Sequence, residues 1–270
     1  MTRTEIAIVF ALASLSARAE TPLERGAYLV RHVVACVACH TNAAPGSPEM
    51  AGGRKFSTIA FNAYAANLTP DPETGVGAWT DEQLIAGFRE GKRPRGSIIG
   101  PPMPVAMYRG LSDDDAKAIV AFLRSLPPVV NKTPRSSYRI PLPANYGPPL
   151  GVVPAVSDAD PAAYSAYVAG LAHCMACHAR RGEDGSPDYV NGLGAGGAEF
   201  RGGWGVSVAP NITPSGIGHY TDDELRKLLR TGERPDGSKL NPPMPVSSYA
   251  GMTDKDLSAI IGYLRALPKK

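Results

Sequence analysis

The sequence predicts an all-α protein built as two tandem domains of one kind. Three observations predict it: the chain repeats itself in order, both copies carry matching helix start and stop signals, and no alternating strand pattern competes with them. "AGGRKF" at 51–56 returns as "AGGAEF" at 195–200, and "NLTP" at 67–70 as "NITP" at 211–214. "TGVGAWTDEQL" at 74–84 returns as "SGIGHYTDDEL" at 215–225, and "PPMPV" at 101–105 is repeated at 242–246. "YRGLSDDDAKAIVAFLRSLP" at 108–127 returns as "YAGMTDKDLSAIIGYLRALP" at 249–268. The domains are therefore drawn at 20–127 and 161–270, with residues 128–160 between them.

The elements follow in chain order. Residues 1–19 combine Arg3, an apolar run from Ile6 to Leu15 and Ala17-Arg18-Ala19. That is the pattern of a secretory signal cleaved after Ala19; the run is about half of what a membrane span needs, and an uncleaved anchor is the alternative. Glu24 to Val34 has its apolar residues on one face, and Ala162 to Ala172 repeats this. Thr80 with Gln83 forms a capping box for a helix that stops at Gly91, and Thr221, Glu224 and Gly232 do the same later. Helices starting at Ser112 and Thr253 carry the stripes Ile119, Phe122, Leu123, Leu126 and Ile260, Tyr263, Leu264, Leu267, and end at Pro127 and Pro268. Prolines 134, 141, 143, 148, 149 and 154 forbid a regular helix between the domains. Tyr138, Ile140, Leu142 and Tyr146 make this stretch an ordered strap rather than a passive spacer.

All four cysteines lie in two C-x-x-C-H units, "CVACH" at 36–40 and "CMACH" at 174–178. A zinc site needs further ligands at ligand spacing, which His32, His173 and His219 do not supply as a repeated pair. A redox dithiol has no need of the trailing histidine. Covalent attachment of haem c does: the thiols of Cys36, Cys39, Cys174 and Cys177 add to vinyl groups, and His40 and His178 become proximal iron ligands. Two haems c are expected. Met103 and Met244, each between prolines at corresponding positions, are the candidates for the opposite axial position; ordinary core packing is the alternative fate of a methionine. Export fits this chemistry. Loss of residues 1–19 removes Arg3, Arg18 and Glu5 and lowers the net charge from +3 to +2. So small a charge argues against nucleic acid and against strong binding to anionic membrane.

On these motifs the chain resembles dihaem c-type cytochromes built from two class I cytochrome c domains. "NLTPDPETGVGAW" and "PPMPV" are most similar to the cytochrome subunits of periplasmic alcohol, gluconate and aldehyde dehydrogenases. The resemblance implies low-spin His/Met iron and electron transfer in the periplasm. It implies a periplasmic dehydrogenase as donor, another cytochrome or a terminal oxidase as acceptor, and membrane contact only through partners. It also puts Trp79 and its counterpart Tyr220 in the haem pockets; core packing serves an aromatic equally well. Asn67 and Asn211 either donate near the haems or fix the N-x-T-P turn, and Gly52-Gly53 and Gly196-Gly197 allow close backbone approach. Gly26 and Tyr28 match the crossing of first and last helices in such domains; Ser165, Ala166 and Tyr167 replace them in the second half, so a wider crossing is expected there. His32 and His173 read as surface residues. The rival reading is a dihaem enzyme, such as a thiosulfate dehydrogenase or peroxidase. A peroxidase needs an open iron, whereas each half here carries a methionine, so no catalytic residue is assigned.

Overall fold

The computed structural model describes residues 19–183 and 185–270. The signal-peptide expectation falls on residues 1–19, of which all but Ala19 lie outside the described residues. Helix α1 spans Pro22–Tyr28, started by Thr21 and Glu24 in a capping box with Pro22 in the first turn. It runs into a π-helical stretch, Leu29–Val33, and then the short helix α2, Cys36–His40. After strands β1 (Lys55–Ser57) and β2 (Phe61–Tyr64) come α3 (Asp81–Glu90), α4 (Val105–Tyr108) and α5 (Asp113–Ser125). The strap contributes β3, Ser137–Tyr138. The second half gives α6 (Pro161–Leu171), α7 (Cys174–His178), β4 (Glu199–Gly202), β5 (Gly205–Val208) and α8 (Pro214–Ile217). It closes with α9 (Asp222–Thr231), α10 (Val246–Tyr249) and α11 (Asp254–Ala266).

The all-α expectation is overturned. Helix makes up 36% of the structure and strand about 9%, in two antiparallel sheets ordered β1-β2-β3 and β4-β5. The physical reason is the Gly-Gly pairs. Gly52, Gly53, Gly196 and Gly197 all have positive φ, which ends the preceding segment and redirects the chain just before each hairpin's first strand. The hairpin strands have three or four residues, too few for an alternating pattern to stand out.

The capped helices form where their signals lie. Thr80 and Thr221 each accept from the backbone at the third helical position, and Gly91 and Gly232 close α3 and α9 with φ of 69°. Ile119, Phe122 and Leu123 of α5, and Ile260 and Leu264 of α11, are buried. Each such side chain contributes roughly 1.5–3 kcal/mol. Gly26 lets α1 cross α5 closely: a Cβ there would lie 1.9 Å from the Ala118 carbonyl oxygen. In the second half Ser165 takes that place, and the glycine is on the opposite helix, Gly262, where a Cβ would lie 3.7 Å from Ser165 Oγ.

The two halves share one core, and their seam is reciprocal. Tyr28 of the first half donates to Asp256 and accepts from Thr253 N (3.1 Å), at the start of α11. Tyr167 of the second half donates to Asp115 (2.6 Å) and accepts from Ser112 N (3.2 Å), at the start of α5. Arg25 binds Asp115 through two contacts of 2.8 Å. His32 and His173 are not surface residues. His32 Nδ1 bonds Ser248 O at 2.9 Å, and the half-buried His173 ring stands edge-on to Tyr108 with centroids 6.0 Å apart. Docking of the halves covers both, which the sequence of either half alone does not reveal.

Candidate haem-binding sites

Each motif occupies one short helix whose entry is set by an unusual backbone. Ala35 and His173, the residues before the first cysteines, are left-handed, with φ of 54° and 46°. A side chain in that region costs of order 1 kcal/mol, so the surroundings must hold it. Two tyrosines do so. Tyr108 of α4 donates to Val34 O (3.2 Å), and Tyr249 of α10 donates to Ala172 O (2.6 Å). The sequence reading missed this pair; its signal is the repeated Tyr five residues after each proline-flanked methionine.

The histidines are anchored alike. His40 Nδ1 donates to Ala66 O at 2.8 Å and His178 Nδ1 to Pro210 O at 2.9 Å. That leaves Nε2 as the free donor atom on each ring, which is how a carbonyl orients a metal-binding imidazole. Burial, partly opposed by these carbonyls, lowers both imidazole pKa values and so keeps the rings neutral, the form that binds metal. Gly52 and Gly196 form the other wall of this contact. A Cβ on Gly52 would sit 2.5 Å from the Ala66 carbonyl carbon, and one on Gly196 at 2.5 Å from that of Pro210. Gly52→Ala therefore displaces the carbonyl that orients His40 and strains a φ of +75°. We expect a loss of about 2–3 kcal/mol in chemical denaturation, against about 1 kcal/mol for Gly46→Ala, where left-handed strain acts without a clash.

The thiols fit attachment and not redox exchange. All four are unpaired. Burial pushes Cys36 and Cys174 up to about 12, and raises Cys39 and Cys177 too. Redox dithiols need depressed values. Zinc finds no set either: among the described residues no group of three or more His, Cys, Asp or Glu could hold a metal ion.

Met103 and Met244 are half-buried against the common core, each just before α4 or α10 and each preceded by a cis proline pair. Trp79 packs with Val76, Leu84 and Val120, and its carbonyl accepts from Arg124. Tyr220 is similarly held by Arg265 and lies beside His219, with ring centroids 4.1 Å apart. Asn67 and Asn211 are committed to their turns: Oδ1 accepts from Thr69 or Thr213, and Nδ2 donates to Val129 O (2.7 Å) or Lys270 O (2.9 Å). The donor set and its glycine walls thus fit a covalently attached haem in each half.

The family model for cytochrome c matches residues 23–127. The chain is 32% identical over 282 residues to the cytochrome c subunit of the quinone alcohol dehydrogenase of Gluconobacter oxydans, covering 97% of this chain and 58% of that protein. It is 30% identical to the gluconate 2-dehydrogenase cytochrome c subunit of Pantoea cypripedii, covering 100% and 66%. It is 28% identical to a dihaem cytochrome of c type from Cereibacter sphaeroides, covering 86% and 82%. The chain thus spans 58% and 66% of the length of the two dehydrogenase subunits. The repeated motifs, the anchored histidines and these matches converge: the chain belongs to the cytochrome c family and binds haem c.

Proposed function

We propose that this chain carries single electrons from a periplasmic dehydrogenase towards the respiratory chain through two covalently held haems c, one in each half. The observation that carries the proposal is the duplication of one site in detail. Each half has its cysteine pair, its histidine on a backbone carbonyl, its tyrosine behind the motif and its proline-flanked methionine. A docking subunit without redox work has no use for both sets.

In this reading Cys36, Cys39, Cys174 and Cys177 attach the groups, and His40, Met103, His178 and Met244 hold the irons. Haem iron supplies reversible one-electron chemistry, and soft thioether ligation favours the reduced state. The protein's part is to fix the imidazoles, keep them neutral and exclude water from the seam. The relatives' names support a dehydrogenase as donor; a further cytochrome or a terminal oxidase is the acceptor. Export, with removal of residues 1–19, places the chain in the periplasm. Among the described residues no helix is long and apolar enough to cross a membrane, and membrane contact comes through partners.

Intact-mass and optical measurements on exported protein test this. The expected species begins at Glu20 and carries two haems, and Met103→Ala and Met244→Ala each open one iron and spare the other. A single haem, or an oxidised spectrum unmoved by both variants, overturns the site assignments. Turnover of peroxide or thiosulfate by the purified protein alone would favour the enzyme reading.

A further inference from the structure

One carbonyl of the motif is held by an arginine in each half, and the two arginines come from different places. Arg54 Nη1 donates to Ala38 O, and Arg181 Nη2 donates to Ala176 O (3.0 Å). Ala38 and Ala176 are equivalent, each directly before the second cysteine of its C-x-x-C-H unit. The arginines are not equivalent. Arg54 lies at the root of the β1–β2 hairpin, where Ala65 N donates to Arg54 O (2.9 Å). The matching contact in the second half runs from Ala209 N to Ala198 O (2.9 Å), so Ala198 occupies that place. Arg181 instead lies three residues after His178, on a loop whose backbone bridges Pro187; at that count from His40 the first half has Ala43. Each half has alanine where the other has its arginine.

A feature copied with the halves would sit at one position in both. Two positions that end on one carbonyl point to a need at that carbonyl. Capping alone does not create it. The last carbonyls of so short a helix have no partner within it, but α2 and α7 end at a half-exposed edge where water serves as well. Water supplies no charge. Both arginines are half-buried, and Arg54 also rests over the Phe56 ring, 5.5 Å from its centroid. Arg25, Arg89, Arg124 and Arg265 spend their charge on carboxylates; among the described residues Arg54 and Arg181 do not.

We propose that Arg54 and Arg181 set the haem potentials: each fixes a positive charge beside the second attachment cysteine of its half and makes the haem held there easier to reduce. The proposal rests on the reading above, in which each cysteine pair holds a haem. The peptide group that accepts from the arginine ends in the nitrogen of Cys39 or Cys177, a few bonds from the sulfur. An oxidised centre carries one more positive charge than a reduced one, so an unneutralised cation beside it favours reduction. This adds to the preference that thioether ligation gives.

The test places Lys, Gln and Glu at each position in the full exported chain. Each variant is titrated with mediators and no partner protein, at low salt, where screening is least. At the parent's midpoint, Arg54→Gln should lower the reduced-to-oxidised ratio of one component at least about threefold, a fall of about 30 mV at 59 mV per tenfold. Arg181→Gln should do the same to the other component, the double variant to both, and Glu should lower each ratio further. The Lys variants keep the charge without the planar fork and should stay within about twofold of the parent. Ratios that ignore charge, or that fall with Lys as far as with Gln, reduce the arginines to helix-end contacts and overturn the proposal. Arg54 and Arg181 variants that move the same component overturn it too. Unmodified cysteines in the intact mass of the parent sink the haem reading itself. A parent chain that takes up haem but that no dehydrogenase reduces sinks the carrier reading instead, and the titration still decides the arginines.

Discussion

Asp115→Ala should cost about 3–5 kcal/mol of stability and open the seam between the halves. Asp115 is 8% exposed and takes three contacts: both from Arg25 and one from Tyr167 of the other half. Alanine leaves a largely buried guanidinium and a phenol without their acceptor, and an unpaired buried charge is the expensive case. The same carboxylate lies in the first turn of α5, where negative charge is favoured. Tyr167→Phe removes only the contact across the seam and should cost about 1–2 kcal/mol. Urea unfolding followed by circular dichroism separates the two. A loss below about 1 kcal/mol for Asp115→Ala would show that water, not the protein, satisfies Arg25.

His178→Ala should cost the second half its redox activity and leave the first half intact, with His40→Ala giving the mirror result. The ring is buried, so its removal opens a cavity and strands the Pro210 carbonyl, a loss of about 2–4 kcal/mol. In the proposed reading the bonds to Cys174 and Cys177 would keep whatever haem the variant takes up, with its iron short of the His178 nitrogen. Reductive titration should then show one component at its original potential and the other shifted or silent. Added imidazole, which fits the cavity and the free carbonyl, should restore the lost component in part. Identical loss of both components in either variant would mean that the halves do not hold separate centres.

The sequence carries the helices because their signals are local. Thr80 with Gln83, Thr221 with Glu224, and the glycines that end α3 and α9 act within one turn, and the structure realises each. The motif residues are equally plain, since attachment chemistry fixes their spacing. What escapes is what depends on distant partners. The hairpins follow Gly-Gly pairs that redirect the chain, and the first is extended by a strap that joins β2 from more than 70 residues away. Tyr28 and Tyr167 read as helix-crossing aromatics, yet their hydroxyls serve the opposite half. His32 and His173 acquire their partners, Ser248 and Tyr108, only when the halves meet.

The π-helical stretch Leu29–Val33 has no counterpart in α6, which is α-helical to Leu171. The seam tyrosines lie at different distances from their motifs: Tyr28 is eight residues before Cys36, Tyr167 seven before Cys174. One residue added to an α-helix rotates everything beyond it by about 100°, which would swing Tyr28 off α11 or the cysteines off their site. A single wider turn swallows that residue and leaves both ends in phase. The duplicated halves could therefore drift apart in length, gaining or losing a codon inside a buried helix, without either end leaving its place.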